Sequence, residues 1–399
     1  MTAAPAATGI AAAAASPLLA VYRPAPPVFV AGRGAYLIAE DGREYLDFVS
    51  GIGVNALGYG DPDVTRAIAA AAETGLIHTS NLYRTRPAAD LAAELVRLSF
   101  ADAVFFCNSG AEANEGAFKF ARRWARQSGA REKVEIVALQ GSFHGRLFGS
   151  LAATDRPAYR EAFEPLMPGV RFVPVGDVDA ARAAISRERT AAIIAEPVQG
   201  EGGVRPLDAS YLRALRELAD EADALLIFDE VQCGLGRTGH LFAYEAAGVV
   251  PDILTLAKPL AGGLPMGAVL LSARVAAAIQ PGDHATTFGG GPLVASVALA
   301  VLRRIAAPEF LDEVRRKGER MGAALAALVG RGGVIEARGR GMMWGLELEG
   351  AAAPVIDRAL EAGLLVTSAG ERVVRLLPPL AISESDLERG LGILAEVLE

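Results

Sequence analysis

Three positions in this chain place reactive chemistry at the end of an apolar run. Residues 224–228, all apolar, lead into Asp229-Glu230-Val231-Gln232. An acid fixed there has two readings: a cap on the turn that follows, or a carboxylate held at a buried strand end for a cationic ligand atom. Further on, the apolar run 253–256 enters Ala257-Lys258-Pro259 and then a Gly/Pro-rich loop, 260–265. Lysine is scarce: it occurs only at Lys119, Lys133, Lys258 and Lys317, so all but four of the 39 basic residues are arginine. A lysine at a strand end can simply snorkel to water. In an apolar setting, however, desolvation lowers its pKa, and the neutral amine attacks carbonyl carbon, which an always-protonated guanidinium cannot do. The third run, 103–107, is followed by Asn108-Ser109-Gly110-Ala111-Glu112 and a helical pattern. Ser109 with Glu112 fits a capping box. The same helix start, with Gly110 beside it, offers free backbone N–H groups to a phosphate. No Gly-Lys-Ser/Thr follows, so it is not a Walker loop. A phosphate seat, a carboxylate and an apolar lysine are together what pyridoxal 5′-phosphate (PLP) requires. Its aldehyde condenses with the amine, its pyridine nitrogen pairs with an acid, and its phosphate takes amides or hydroxyls.

A competing pattern is Gly234-Leu235-Gly236-Arg237-Thr238-Gly239, which matches the G-x-G-x-x-G of dinucleotide-binding loops and would make the chain an NAD-dependent dehydrogenase. It lies in mid-chain, separated from its strand by polar residues and a cysteine, rather than in an opening βαβ unit. A non-enzymatic binding protein on the same fold is the other alternative, and an intact Lys258 counts against it.

The elements that must position these residues follow from periodicity. Short, mainly apolar runs read as buried strands at 103–107, 134–139, 171–175, 191–195, 224–228, 253–256 and 268–271. Helical patterns lie between them. Ala113, Ala117, Phe120, Ala121 and Trp124 share one face, as do Leu212, Leu215 and Leu218 in a segment that opens at the N-cap candidate Asp208. Such alternation predicts an α/β domain whose largely parallel sheet is covered on both faces and binds ligands at the carboxyl ends of its strands. After Pro292 the pattern changes to helices at 293–305 and 309–328, strands at 345–348 and 373–377, and a closing helix from Ser383. The expected division is a loose tail (1–20), an N-terminal segment packing with the smaller domain (21–60), a large α/β domain (61–292) and a small α+β domain (293–399).

Composition bounds the function. With 399 residues, 52% of them hydrophobic, the chain is long enough for two or three domains and too apolar to be disordered. Its net charge of −8 argues against a nucleic-acid binder. Two cysteines, Cys107 and Cys233, build neither a disulfide framework nor a zinc site, so no metal is expected and a reducing cytoplasm fits. No run approaches the roughly 18–20 apolar residues of a membrane span. The first charge is Arg23, where a secretory signal would open with positive residues.

In combination the motifs are specific. They are Asn81-Leu82-Tyr83, the run from Phe106 through Asn108-Ser109-Gly110-Ala111-Glu112 to Glu115, Ser142-Phe143-His144-Gly145-Arg146, Glu196-Pro197-Val198-Gln199-Gly200-Glu201-Gly202-Gly203, Asp229-Glu230-Val231-Gln232, Leu256-Ala257-Lys258-Pro259, Thr286-Thr287-Phe288-Gly289-Gly290 and Arg375-Leu376-Leu377-Pro378-Pro379. In this order, from about residue 20 to the end, the chain resembles the class III aminotransferases (fold type I PLP enzymes), most closely the acetylornithine aminotransferases. The resemblance implies a role for each matching position. Lys258 would hold PLP and shuttle the proton between substrate and cofactor. Asp229 would pair with the pyridinium nitrogen, Gln232 would contact the ring's phenolic oxygen and Phe143 would stack on the ring. Ser109, Gly110 and Ala111 would seat the phosphate. Thr287 would reach the phosphate of the neighbouring subunit's cofactor, which makes an active homodimer.

The resemblance also implies the substrates. Arg146 and Arg375 match the family's two carboxylate-binding arginines, whose planar guanidinium groups grip carboxylates bidentately. Glu201 matches a glutamate that masks the arginine at 375 when a donor with one free carboxylate binds and releases it when the dicarboxylate arrives. The implied reaction moves the distal amino group of N2-acetyl-L-ornithine to 2-oxoglutarate, giving N-acetyl-L-glutamate 5-semialdehyde and L-glutamate in arginine biosynthesis. Succinylornithine, succinyldiaminopimelate, ornithine and 4-aminobutyrate are the alternative donors. Residues 51–58 lack the tyrosine with which ornithine aminotransferases grip a free α-amine, which favours an acylated donor. Gly58-Tyr59-Gly60-Asp61-Pro62 departs from the usual Gly-His-x-His-Pro, and Leu147 and Gly291 stand where Thr and Asn are commoner.

Overall fold

The computed structural model describes residues 18–399, so the expected tail, 1–20, falls almost wholly outside the described residues. Seven apolar runs assemble into one sheet: β4 (Ala103–Cys107), β5 (Glu135–Leu139), β6 (Val170–Val173), β7 (Thr190–Ala195), β10 (Leu225–Asp229), β11 (Ile253–Leu256) and β12 (Gly267–Leu271), in the order β4-β12-β11-β10-β7-β5-β6. All pairings are parallel except those of β12, which runs antiparallel to both β11 and β4. Every residue of β5, β7, β10, β11 and β12 is buried, which is why these strands read as apolar throughout instead of alternating.

Alternation along the strands divides the core between the two faces of the sheet. Leu226, Phe228 and Leu254 pack in a cluster with Leu212, Leu215 and Leu218 of the helix Ala209–Glu221. Leu225, Ile227 and Ile253 face the other way and cluster with Ala117, Phe120 and Trp124 of the helix Gly110–Gln127. Asp208 occupies the N-cap position of the first of these helices, but its side chain makes no capping bond.

A second, antiparallel sheet has the order β13 (Val334–Arg340), β14 (Met343–Leu348), β17 (Val373–Leu376) and β16 (Thr367–Ser368). A third joins the N-terminal strands β1 (Phe29–Arg33), β2 (Tyr36–Ala39) and β3 (Glu44–Asp47) to β15 (Leu364–Leu365) near the other end of the chain. A short hairpin, β8 (Val198–Gln199) with β9 (Arg205–Pro206), projects the loop 200–204 between the two larger sheets. The helix Pro292–Ile305 packs on the helices Pro62–Glu73 and Arg86–Leu98 and on the single turn Lys258–Ala261, and so braces the segment that carries the lysine.

Candidate active site

The carboxyl ends of β4, β10 and β11 converge on one cavity of about 410 Å³. Its lining includes Ser109, Gly110, Ala111, Phe143, Arg146, Glu201, Asp229, Gln232 and Lys258. Close backbone approach brings them together. A Cβ on Gly110 would lie 2.6 Å from Val231, so only glycine lets the first turn of the helix Gly110–Gln127 lie against the segment following Asp229.

Asp229 is the last residue of β10 and is buried. Its two oxygens have different partners. Oδ1 accepts from the Val231 N–H at 3.0 Å, closing the local turn. Oδ2 accepts from Asn114 Nδ2 at 2.7 Å and lies 2.7 Å from His144 Nδ1. Thr255, beside Asp229 in the β10–β11 register, donates from its hydroxyl to Asn114 Oδ1 at 2.8 Å. That bond fixes the amide so that Nδ2 faces Asp229 and the His144 carbonyl, the latter at 2.7 Å. The carboxylate is thereby held rigidly, as an acid meant for a ring nitrogen must be.

Lys258 follows β11 and is partly buried, with its amine on the cavity. Among the described residues no side chain pairs with it. Burial, and then the charge of Arg375, lower its pKa, against the weaker pull of Glu201, Asp229 and Glu196. At the third strand end Ser109 Oγ accepts from the Glu112 N–H at 3.2 Å. Only half of the capping box forms, because the Glu112 carboxylate turns to the backbone N–H and the amide of Asn108, at 2.7 and 2.8 Å. The N–H groups of Gly110 and Ala111, in the first helical turn, take no acceptor among the described residues. An unpaired amine, a rigid buried carboxylate and a helix start with open amides fit an aldehyde, a pyridinium nitrogen and a phosphate on one small ring.

Arg375 is only 2% exposed. Its Nη1 donates to Glu201 Oε1 at 2.5 Å and to Gln232 Oε1 at 3.2 Å, while its Nε is buried without a partner. Arg146 is exposed and has no ion pair among the described residues; its guanidinium carbon lies 3.4 Å from the centroid of the Tyr159 ring. Thr287 stands apart: it is exposed and lines a different cavity, with Asn81, Leu82 and Thr286.

Four residues of the site were given no role from sequence: Asn114, His144, Thr255 and Glu196. Glu196 is buried; its Oε1 accepts from the Phe143 N–H at 2.9 Å and its Oε2 from the Gly200 N–H at 3.0 Å, so one side chain fixes two site loops. Burial pushes its pKa up. Asn114 left a signal, a polar side chain one turn after Gly110 on the helix's inward stripe. His144 is one of only four histidines. Neither signal says which carboxylate the side chain meets.

The sequence model of the aminotransferase class-III family matches residues 20–398. The chain belongs to the class III aminotransferases. It is 50% identical over 386 residues to a protein named acetylornithine aminotransferase, mitochondrial, from Alnus glutinosa, covering 96% of this chain and 85% of that one. Among solved structures it superposes on N-acetylornithine aminotransferase of Stenotrophomonas maltophilia K279a with a TM-score of 0.83 at 39% identity, covering 94% and 96% of the two chains. It superposes on an ornithine aminotransferase of Toxoplasma gondii with a TM-score of 0.91 at 30% identity, covering 96% and 92%; PLP is described at that protein's active site. This aminotransferase is accordingly a PLP-dependent transaminase of fold type I. The loop 234–239 has no part in the site. No α-helix opens from it, only the 3-10 turn Ala243–Ala247 further on, and Arg237 is fully buried, donating to the carbonyls of Met342 and Pro378 at 3.1 and 2.6 Å. No helix of the described residues is long and apolar enough to cross a membrane.

Proposed function

We propose that this aminotransferase moves the distal amino group of N2-acetyl-L-ornithine to 2-oxoglutarate in the cytoplasm, as a step of arginine biosynthesis. The observation that carries the reading is the buried Arg375 closed on Glu201 at the cavity wall, while Arg146 stands without an ion pair. One carboxylate-binding cation is open and the other is masked by a glutamate countercharge. That arrangement suits a pair of substrates of which one has a single free carboxylate and the other has two. Val54, an apolar side chain, lines the cavity in the segment where a tyrosine would grip a free α-amine. The relatives named for acetylornithine point the same way.

PLP, when bound, supplies the electron sink that stabilises negative charge on the substrate carbon. The residues supply the rest. Ser109, Gly110 and Ala111 hold the phosphate, Asp229 keeps a proton on the ring nitrogen, and Phe143 and Gln232 orient the ring. Lys258 Nζ would hold the cofactor through its aldehyde and, having no side-chain partner of its own among the described residues, would be placed to accept and deliver a proton at the substrate carbon. Thr287, which is not among the residues lining the Lys258 cavity of its own chain, would serve the cavity of a second copy, so the active species is a homodimer. The division at 60/61 and 292/293 belongs to the same reading, and the pairing of β15 with β3 supports it for the N-terminal segment.

The test is the visible absorbance of the purified protein. A yellow protein that bleaches with N2-acetylornithine in the absence of acceptor, and much less with ornithine or 4-aminobutyrate, is expected. Bleaching only by another amine would move the donor, and a protein that stays colourless after incubation with PLP would overturn the reading. Lys258→Ala is expected to lose turnover by on the order of 10²–10⁴-fold or more.

A further inference from the structure

The loop that carries Glu201 is fastened by arginines from three places. Three successive carbonyls each accept a guanidinium N–H: Glu201 O from Arg156 Nη2, Gly202 O from Arg205 Nε at 3.1 Å, and Gly203 O from Arg338 Nε at 2.8 Å. Arg156 lies in the turn after the helix Phe148–Ala152, Arg205 on β9 of the loop's own hairpin, and Arg338 on β13 of the smaller antiparallel sheet. The loop has little slack of its own. Gly203 has φ +99°, Val204 adopts a left-handed φ of +51°, and a Cβ on Gly202 would lie 2.7 Å from the Gly141 carbonyl.

Arg338 is itself fixed. Its Nη1 donates to Glu347 Oε2 at 2.6 Å and to Glu336, and its side chain is nearly buried. Glu347 also accepts from Arg372 at 2.9 Å and lies 3.8 Å from Arg205. Glu347 is on β14, the strand that pairs with β17, where Gly345 lies opposite Arg375. A Cβ at Gly345 would sit 3.1 Å from Val204, so the loop rests directly on the strand pair that holds Arg375. One charged cluster thus touches both halves of the Arg375–Glu201 contact: the backbone beneath Glu201 and the sheet beneath Arg375.

We infer that Arg338, held by Glu347, is a positioning residue that keeps Glu201 on Arg375 and so sets the balance between substrates with one and with two free carboxylates. The inference rests on the masking role given to Glu201 above. If the bond to the Gly203 carbonyl is lost, the loop loses its hydrogen-bonded anchor on the smaller sheet, leaving the packing of Val204 there, and Glu201 leaves Arg375 more often. The fraction of molecules with Arg375 uncovered rises. A dicarboxylate gains apparent affinity by that fraction, and a donor with one free carboxylate meets an uncompensated cation.

Glutarate, a dicarboxylate with neither amine nor keto group, is the probe, titrated calorimetrically into the holoenzyme. Arg338→Met is expected to tighten glutarate by about three- to tenfold and to raise KM for N2-acetylornithine by a similar factor. Merely structural damage would weaken both, and that outcome overturns the inference. A double-mutant cycle with Glu201→Ala separates the two layers of the argument. Glu201→Ala alone tightens glutarate if masking is real, and Arg338→Met then adds nothing in that background. If Glu201→Ala leaves glutarate binding unchanged, the masking reading falls. If it tightens glutarate and Arg338→Met does not, the positioning inference falls alone. Should Arg338→Met fail to fold, Arg156→Met releases the neighbouring carbonyl, and the same opposite shifts decide the question.

Discussion

The amine of Lys258 stands in its cavity with no side-chain partner among the described residues, and burial is the main reason its pKa is lowered. This is measurable without the cofactor. In cofactor-free protein, acetylation of Lys258 followed by mass spectrometry is expected to reach half its limiting rate at a lower pH than for the same lysine in the unfolded chain. A half-point at or above the unfolded one would overturn the assignment of a desolvated nucleophile. The sign for stability follows. Between the folded and the unfolded pKa the unfolded chain binds more protons, so the contribution of Lys258 to the stability of the cofactor-free protein rises with pH across that window, and its cost is fully present below it. Asp229 makes the complementary case. The sequence allows a turn cap or a ligand carboxylate; one oxygen closes the turn, and the other is held by Asn114 and His144 at the cavity.

At the scale of elements, Gly110 decides how closely the helix start proposed to seat the phosphate approaches the segment after β10. Gly110→Ala would drive a Cβ into Val231. We expect it to cost about 1–3 kcal/mol in thermal unfolding of the cofactor-free protein and to weaken PLP binding. Gly392→Ala is the contrast. It lies in the helix Glu384–Leu398 with nothing within 4 Å of a new Cβ, and is expected to stabilise by roughly 0.5–1 kcal/mol. Equal effects of the two substitutions would show that the approach to Val231 does not matter. The same elements show what sequence makes legible. Strands buried on both faces announce themselves, and their carboxyl ends located Lys258, Asp229 and Ser109. β13 was not read, because its residues beyond Val334 are at most partly buried and charges such as Glu336 and Arg338 break the apolar pattern. The helix Ala353–Glu361, short and with only Val355 and Ala359 buried, was missed for the same reason. The roles of Asn114, Glu196 and Arg338 depend on partners 50 or more residues away, such as Asp229, Gly203 and Phe143, and no local pattern encodes those meetings.

The whole molecule leaves apolar surface around Asn81 and Thr287. Leu82, Tyr83 and Phe288 are 88%, 72% and 66% exposed, and they lie beside Asn81 and Thr287, whose cavities are separate from that of Lys258. Such a concentration is expected to be covered by another surface. In the proposed dimer it is covered by a second copy. Sedimentation equilibrium is expected to give a dimer for the native chain and a shift toward monomer, with loss of turnover, for Leu82→Asp/Phe288→Asp. A native monomer with full turnover would refute it. The one antiparallel strand also governs how this sheet is completed during synthesis. β4 is an edge strand whose only neighbour is β12, the last of the seven to be translated. Until residues 267–271 leave the ribosome, Phe105 and Phe106 lie on a strand with no strand partner. A nascent chain of this protein therefore carries an adhesive edge through the translation of about 160 further residues (a sticky template of the kind that invites mispairing or chaperone capture), and β4 joins the sheet in a single late event.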